Sequence, residues 1–236
     1  MMGIAFLGKH SYRDFGLSMA PGKSIGMPDK EKIMVKVPFS NEEYDFSRLY
    51  GTQTYTMREL SYPFNVFDRD NFTKVGLNNL KTQVTNWIMN SDGKQKLYDD
   101  AYPGYYFLAE AESAPSFSED FNTGILTVKF KAYPFMIAEL EEGNDIWDTF
   151  NFDLDVSQDV SFDIDGTQDV TLINAGVPDV YPTIETTAEM TVTLRNKTYT
   201  IPAGTVKSDI PLISGENDLT ITGTGTINFI FYKELI

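Results

Sequence analysis

Cysteine is absent from the 236 residues, and histidine occurs once, at His10. Without cysteine there is no disulfide framework and no thiolate zinc site. A single histidine excludes multi-histidine metal sites, and any Ser-His-Asp or Cys-His nucleophile system has to be built on His10. That residue is expected in a solvated strand-end loop. Long apolar runs are also missing: no stretch approaches the roughly 20 residues that span a bilayer. The first 18 residues lack the basic start, apolar core and small-residue cleavage site of a secretory leader. A soluble protein made in the cytoplasm is expected. Positive charge is scarce, with 19 Lys+Arg against 34 Asp+Glu, a net charge of −15 and pI ≈ 4.4. Specific nucleic-acid binding is disfavoured, because affinity for phosphate backbones needs clustered Lys and Arg.

What is present is core material. Hydrophobic residues make up 42% and aromatics 14%, enough to fold despite the charge. The charge is unevenly spread. Through Phe135 there are 15 Lys+Arg and 16 Asp+Glu, and from Met136 onward 4 and 18. Such a step signals two joined units with different surroundings. The expected domains are residues 1–136 and 137–236.

The fold class expected is mainly β, an N-terminal β-rich domain with one packed α-helix followed by a C-terminal β-sandwich. Leu77, Leu80, Val84, Trp87 and Ile88 recur at helical spacing, with Thr73 as cap and Ser91-Asp92-Gly93 as stop. The stripe reads as a core-facing seam rather than a cofactor box. Strands are expected at Ile4–Leu7, Ile33–Val37, within 52–67, at Lys96–Tyr98, at Tyr105–Ala111 and at Ile125–Ala132. Only the last alternates strictly. Beyond an acidic segment at 139–148, alternation marks strands at Phe152–Val156, Val160–Ile164, Met190–Leu194, Tyr199–Ile201, Leu219–Ile221 and Ile227–Phe231. Asn196-Lys197 and Gly223-Thr224-Gly225 read as turns.

Candidate chemistry is sparse. Asp163-Ile164-Asp165-Gly166-Thr167-Gln168-Asp169 offers carboxylates and a glycine to a hard cation, but lacks calcium-loop spacing and a closing glutamate. Asp and Gly also suit a strand-joining turn. Paired carboxylates for glycoside hydrolysis need two acids about 5–10 Å apart across a cleft, and no pair is marked out. Gly223-Thr224-Gly225 is no phosphate loop, since neither lysine nor helix follows. Aromatic side chains could stack on sugars, though core packing accounts for them equally well. No catalytic, cofactor-binding or metal residue is assigned, and no cofactor; a non-enzymatic role is expected.

Several motifs in order resemble the distal tail (Dit) family of siphophage tail proteins. They are Ile4-Ala5-Phe6 with Asp14-Phe15-Gly16-Leu17, Val37-Pro38 with Asp45-Phe46-Ser47, Tyr55-Thr56-Met57-Arg58-Glu59-Leu60, and the helix ending in Trp87-Ile88. Leu126–Phe135, closing in Tyr-Pro-Phe, continues the series. Asn174-Ala175-Gly176, Tyr181-Pro182-Thr183-Ile184 and Gly215-Glu216-Asn217-Asp218-Leu219 complete it. Phe39 departs from the pattern, as that family often has glycine after the proline. The resemblance implies a homohexameric ring at the distal end of a phage or prophage tail, joining tail tube to baseplate or tip and letting DNA pass. It implies N-terminal ring domains and outward galectin-like or carbohydrate-module-like C-terminal domains. Implied partners are the tail tube protein, a tail-associated lysin or tip protein and, in some members, receptor-binding proteins. The implied location is the virion. A carbohydrate-binding module for a host cell-wall glycan is the alternative reading, and a glycosidase a weaker third.

Overall fold

A computed structural model describes residues 2–49, 51–147 and 150–236. The chain is mainly β with one α-helix, and divides into two compact units. Unit 1 takes Met1–Leu49 and Gln53–Met136, and unit 2 takes Tyr50–Thr52 and Ile137–Ile236.

Unit 1 contains β1 (Ile4–Phe6), β2 (Lys9–His10), β3 (Ser18–Met19), β4 (Ser24–Ile25), β5 (Met34–Lys36), β6 (Glu43–Asp45) and β7 (Arg58–Phe67). The helix α1 (Lys74–Met89), β8 (Gln95–Asp99), β9 (Tyr105–Glu110), β10 (Ser116–Asp120) and β11 (Thr123–Ala138) follow, the last two residues of β11 already counting to unit 2. The main sheet runs β2-β1-β8-β9-β11-β7-β3, with β10 on β11 and β4 on β7. Its spine is the antiparallel pairing of β11 with β7, from Thr123↔Phe67 to Ala132↔Arg58. Leu126, Val128, Phe130 and Ala132 bury one face of β11. The strand does not stop at Tyr133-Pro134-Phe135 but runs through it to Ala138.

Pro63 explains why β7 has only fragments on its other edge. A strand residue's N–H and C=O point to the same side, and the Pro63 carbonyl accepts the Ala20 N–H at 2.8 Å. The donor that proline lacks therefore faces that edge. The neighbouring chain pairs only at Ser18↔Asn65, Met19↔Phe64, Ser24↔Ser61 and Ile25↔Leu60.

The helix matches its sequence signals. Thr73 Oγ1 accepts the Gly76 N–H at 3.1 Å, and Leu77, Val84, Trp87 and Ile88 are buried. Trp87 Nε1 donates to the Phe6 carbonyl at 2.8 Å, and Phe15 stacks on its ring at 4.7 Å.

Unit 2 holds β12 (Ser161–Asn174), β13 (Thr183–Thr186), β14 (Met190–Leu194), β15 (Lys197–Ile201), β16 (Gly204–Lys207), β17 (Gly215–Ile230) and β18 (Glu234–Leu235). Its sheet order is β15-β14-β17-β13-β16, with β12 along β17. Three sequence expectations fail here. Asp163–Asp169 is not a turn but the middle of β12, in continuous register with β17 from Ser161↔Asn228 to Asn174↔Gly215. Gly223-Thr224-Gly225 is not a turn either. It lies where β17 changes partner, pairing β14 through Leu219–Thr222 and β13 through Ile227–Ile230. Glycine suits this bend because both φ values are positive, 156° and 134°. A Cβ at Gly225 would also sit 2.3 Å from Thr187 Oγ1. Finally, Phe152, Leu154 and Val156 form no strand. The Asn151 N–H donates to the Asp155 carboxylate at 2.8 Å, and the Asp153 N–H to Asn151 Oδ1 at 3.0 Å. These side chains hold the segment in local turns instead.

Candidate functional site

His10 is buried rather than solvated, and it is structural. Its Nδ1 accepts the N–H groups of Tyr12 and Arg13, both at 3.1 Å, so the ring proton sits on Nε2, 3.0 Å from the Asp100 carboxylate. Burial opposes the charge on Asp100, yet the Gly3 N–H and His10 hold its carboxyl below the usual range. Neighbouring Ser11 is buried, with Oγ accepting the Ile4 N–H at 3.0 Å. A general base needs a free lone pair aimed at the nucleophile. Here that lone pair is spent on the backbone.

Two of the three aspartates of β12 are likewise committed. Asp163 accepts the Thr226 hydroxyl and Asp169 the Thr220 hydroxyl, each at 2.7 Å across the β12–β17 pair. Among the described residues, no group of three or more His, Cys, Asp and Glu side chains is arranged to hold a metal ion. The strand pleat spreads these acids along the sheet instead of converging them.

One carboxylate pair does converge, which sequence spacing gave no means to find. Lys233 is buried in unit 2, paired with Asp155 and 3.8 Å from Glu142. Gln158 Nε2 donates to Glu142 at 2.9 Å and to the Ile173 carbonyl at 2.8 Å, while its Oε1 accepts the Ile173 N–H. Burial pushes the Glu142 carboxyl above its usual range, opposed by Gln158 and Lys233. The buried ammonium is paired with both carboxylates, so the trio reads as a structural clasp.

Two of the resemblance motifs acquire a physical role. Asn174 Nδ2 donates to the carbonyls of Pro178 and Leu212, and its Oδ1 accepts the Gly176 N–H. Asn217 Nδ2 donates to the Ile213 and Gly215 carbonyls, and its Oδ1 accepts the Ile213 N–H at 2.9 Å. Each buried amide satisfies loop backbone that would otherwise be orphaned.

Surface features offer more than the interior. β5 and β6 form a separate two-stranded ribbon, with its root at the Lys30↔Tyr55 bridge. Ile33, Met34, Val35, Phe39, Tyr44 and Leu49 are all exposed on it. Such a ribbon is marginal alone in water, and its apolar surface invites cover. Phe39 sits at its tip with φ 61°, a left-handed conformation that glycine adopts without cost. In unit 2, Trp147 and Phe152 are 60% and 83% exposed. Phe150 lies between them, with ring centroids 4.9 Å and 5.1 Å away.

No family model matches the chain, and no curated protein does. Among solved structures, the chain is similar to the crystal structure of SPP1 Dit (gp 19.1), described as a paradigm of the hub adsorption apparatus in phages infecting Gram-positive bacteria. The match covers 100% of both chains with TM-score 0.68 and 14% sequence identity. The chain therefore shares the fold of that hub protein from end to end.

Proposed function

We propose that the protein is a structural hub at the distal end of a phage or prophage tail, forming a homohexameric ring that joins the tail tube to baseplate or tip proteins. The observation that carries this reading is the fold likeness to SPP1 Dit over both units at once, since a shared single domain would be far less specific. The exposed apolar ribbon of unit 1 supports it, because surface of this kind is stable in solution only when covered. Charge is compatible with DNA passage. A sixfold ring carries six times the −15 of one chain, and a negative surface does not retain DNA. The expected neighbours are the tail tube protein, a tail-associated lysin or tip protein and receptor-binding proteins, within the virion. Mixing the purified chain with the tail tube protein of the same phage or prophage tests the assignment. A complex that co-elutes supports it, and separate elution with a monomeric chain opposes it.

A second reading rests on Trp147, Phe150 and Phe152. Exposed neighbouring rings suit the apolar faces of sugars, and the acidic unit could hold a host cell-wall glycan. Binding to purified host wall polymer that disappears in Trp147→Ala/Phe152→Ala would favour it. Unchanged binding would remove those rings from the account.

A further inference from the structure

At the start of β7 a buried cation meets an exposed sulfur. Arg58 is 2% exposed and Met27 66%. Among the described residues the Arg58 side chain makes one hydrogen bond, from Nη2 to Met27 Sδ at 3.6 Å, and its Nε has no partner. A guanidinium has five N–H donors and a thioether sulfur is a weak acceptor, so most of this donating capacity is unused. Asp99, the buried acid of the unit, is committed to the Tyr62 hydroxyl, the Ala101 N–H and Lys23. Local sequence sets the sulfur's place. Ser24 and Ile25 pair with Ser61 and Leu60, and the Gly26 N–H donates to the Glu59 carbonyl at 2.8 Å. A Cβ at Gly26 would stand 2.8 Å from that same oxygen, so glycine is what lets the chain lie so close to β7. Pro28 restricts Met27 to extended backbone, and the Thr56 N–H donates to the Asp29 carbonyl at 2.9 Å. Met27 is thus held at the root of the ribbon, its sulfur against the guanidinium and its side chain open to solvent.

An exposed thioether is open to two-electron oxidation by a hydroperoxide. With hydrogen peroxide, a sulfur lone pair attacks one peroxide oxygen, the O–O bond breaks and an S–O bond forms. The transferred hydroxyl gives its proton to the departing hydroxide, which leaves as water. Met2, Met34, Met57 and Met89 are exposed as well, but among the described residues their sulfurs accept no hydrogen bond. A sulfoxide there only adds a polar group to an apolar side chain, the change that ordinarily loosens packing. At Met27 the product differs in kind. Its oxygen is a strong acceptor beside a buried cation, and hydrogen bonds from an ionised donor are about twice as strong as neutral ones. The unbranched side chain, with three rotatable bonds, can turn that oxygen onto the guanidinium. We propose that Met27 is an oxidative modification site whose sulfoxide is captured by Arg58, tightening the root of the ribbon on β7 instead of loosening it. The chemistry is the same whether or not the chain assembles into a ring.

Treating the full chain with dilute hydrogen peroxide tests it, with peptide mass spectrometry to measure conversion at Met27 and thermal unfolding to read the effect. Wild type is compared with Met27→Leu, which keeps every other methionine. Relative to the untreated pair, oxidation should leave the wild-type unfolding temperature about 2–4 °C above that of Met27→Leu. In Arg58→Leu that gain should vanish. Met27→Gln, which sets an amide oxygen at the same place, should give a gain of the same sign without peroxide. Met27 left unoxidised while Met2 and Met34 react would overturn the modification. Oxidised Met27 with no gain, or a gain that persists without Arg58, would overturn its capture by the guanidinium.

Discussion

Unit 1 buries the guanidinium of Arg58, which among the described residues has no carboxylate paired with it, whereas unit 2 buries the ammonium of Lys233 between Glu142 and Asp155. Arg58 is only 2% exposed, lies 5.3 Å over the Phe107 ring, reaches the Met27 sulfur at 3.6 Å and leaves its Nε unbonded. Burial lowers its proton affinity. The acid of that unit's interior, Asp99, takes the Tyr62 hydroxyl at 3.0 Å and Lys23 at 2.5 Å, and burial with this acid raises the Tyr62 hydroxyl's pKa. The contrast teaches that a buried charge is not one kind of object. Its removal stabilises or destabilises according to what it leaves behind.

That comparison is broken most forcefully at Lys233. Lys233→Met strands the buried Glu142 and the half-buried Asp155, and unit 2 should lose about 3–5 kcal/mol in urea unfolding. An unchanged midpoint would show the clasp to be ornamental. Gly225→Ala and Asn217→Ala come next, at about 2–3 kcal/mol each. The first drives a Cβ into Thr187 at a positive φ, and the second orphans buried loop backbone. Calorimetry of each variant measures both. Arg58→Met should act oppositely and raise the stability of unit 1 by about 1 kcal/mol, because it removes a desolvated charge without stranding a partner. Phe39→Gly should have the smallest effect, a gain below about 1 kcal/mol from relieving its left-handed backbone, offset partly by glycine's entropy.

Glu142 sharpens the comparison through pH. Its pKa is raised in the folded state, so the folded chain binds this proton before the unfolded chain does. The resulting stability is fully present below the ordinary glutamate value of 4.5 and is lost as pH rises through the raised folded value. Unit 2 melts measured across that window should show this slope, and Glu142→Gln should flatten it. A slope of equal size in the variant would assign the effect to other groups.

Local signals were the readable ones. Thr73, the Leu77–Ile88 stripe and the alternation from Leu126 to Ala132 sit where expected, because capping and periodicity involve residues close in sequence. The failures share a different origin. Asp163–Asp169 and Gly223-Thr224-Gly225 carry turn composition, but each is held extended by a strand about 60 residues away, and that pairing overrides local preference. His10 looked like a loop residue because Asp100, which buries it, is remote in sequence. The Lys233 clasp joins three positions spread over the last hundred residues, with no motif to mark them.

We have proposed that this two-unit chain is a ring-forming tail hub. Negative-stain imaging of the full chain, alone and with its tail tube partner, tests it most directly. Sixfold rings with a central opening are expected in at least the mixed sample. Single particles and no rings in both samples would overturn the proposal.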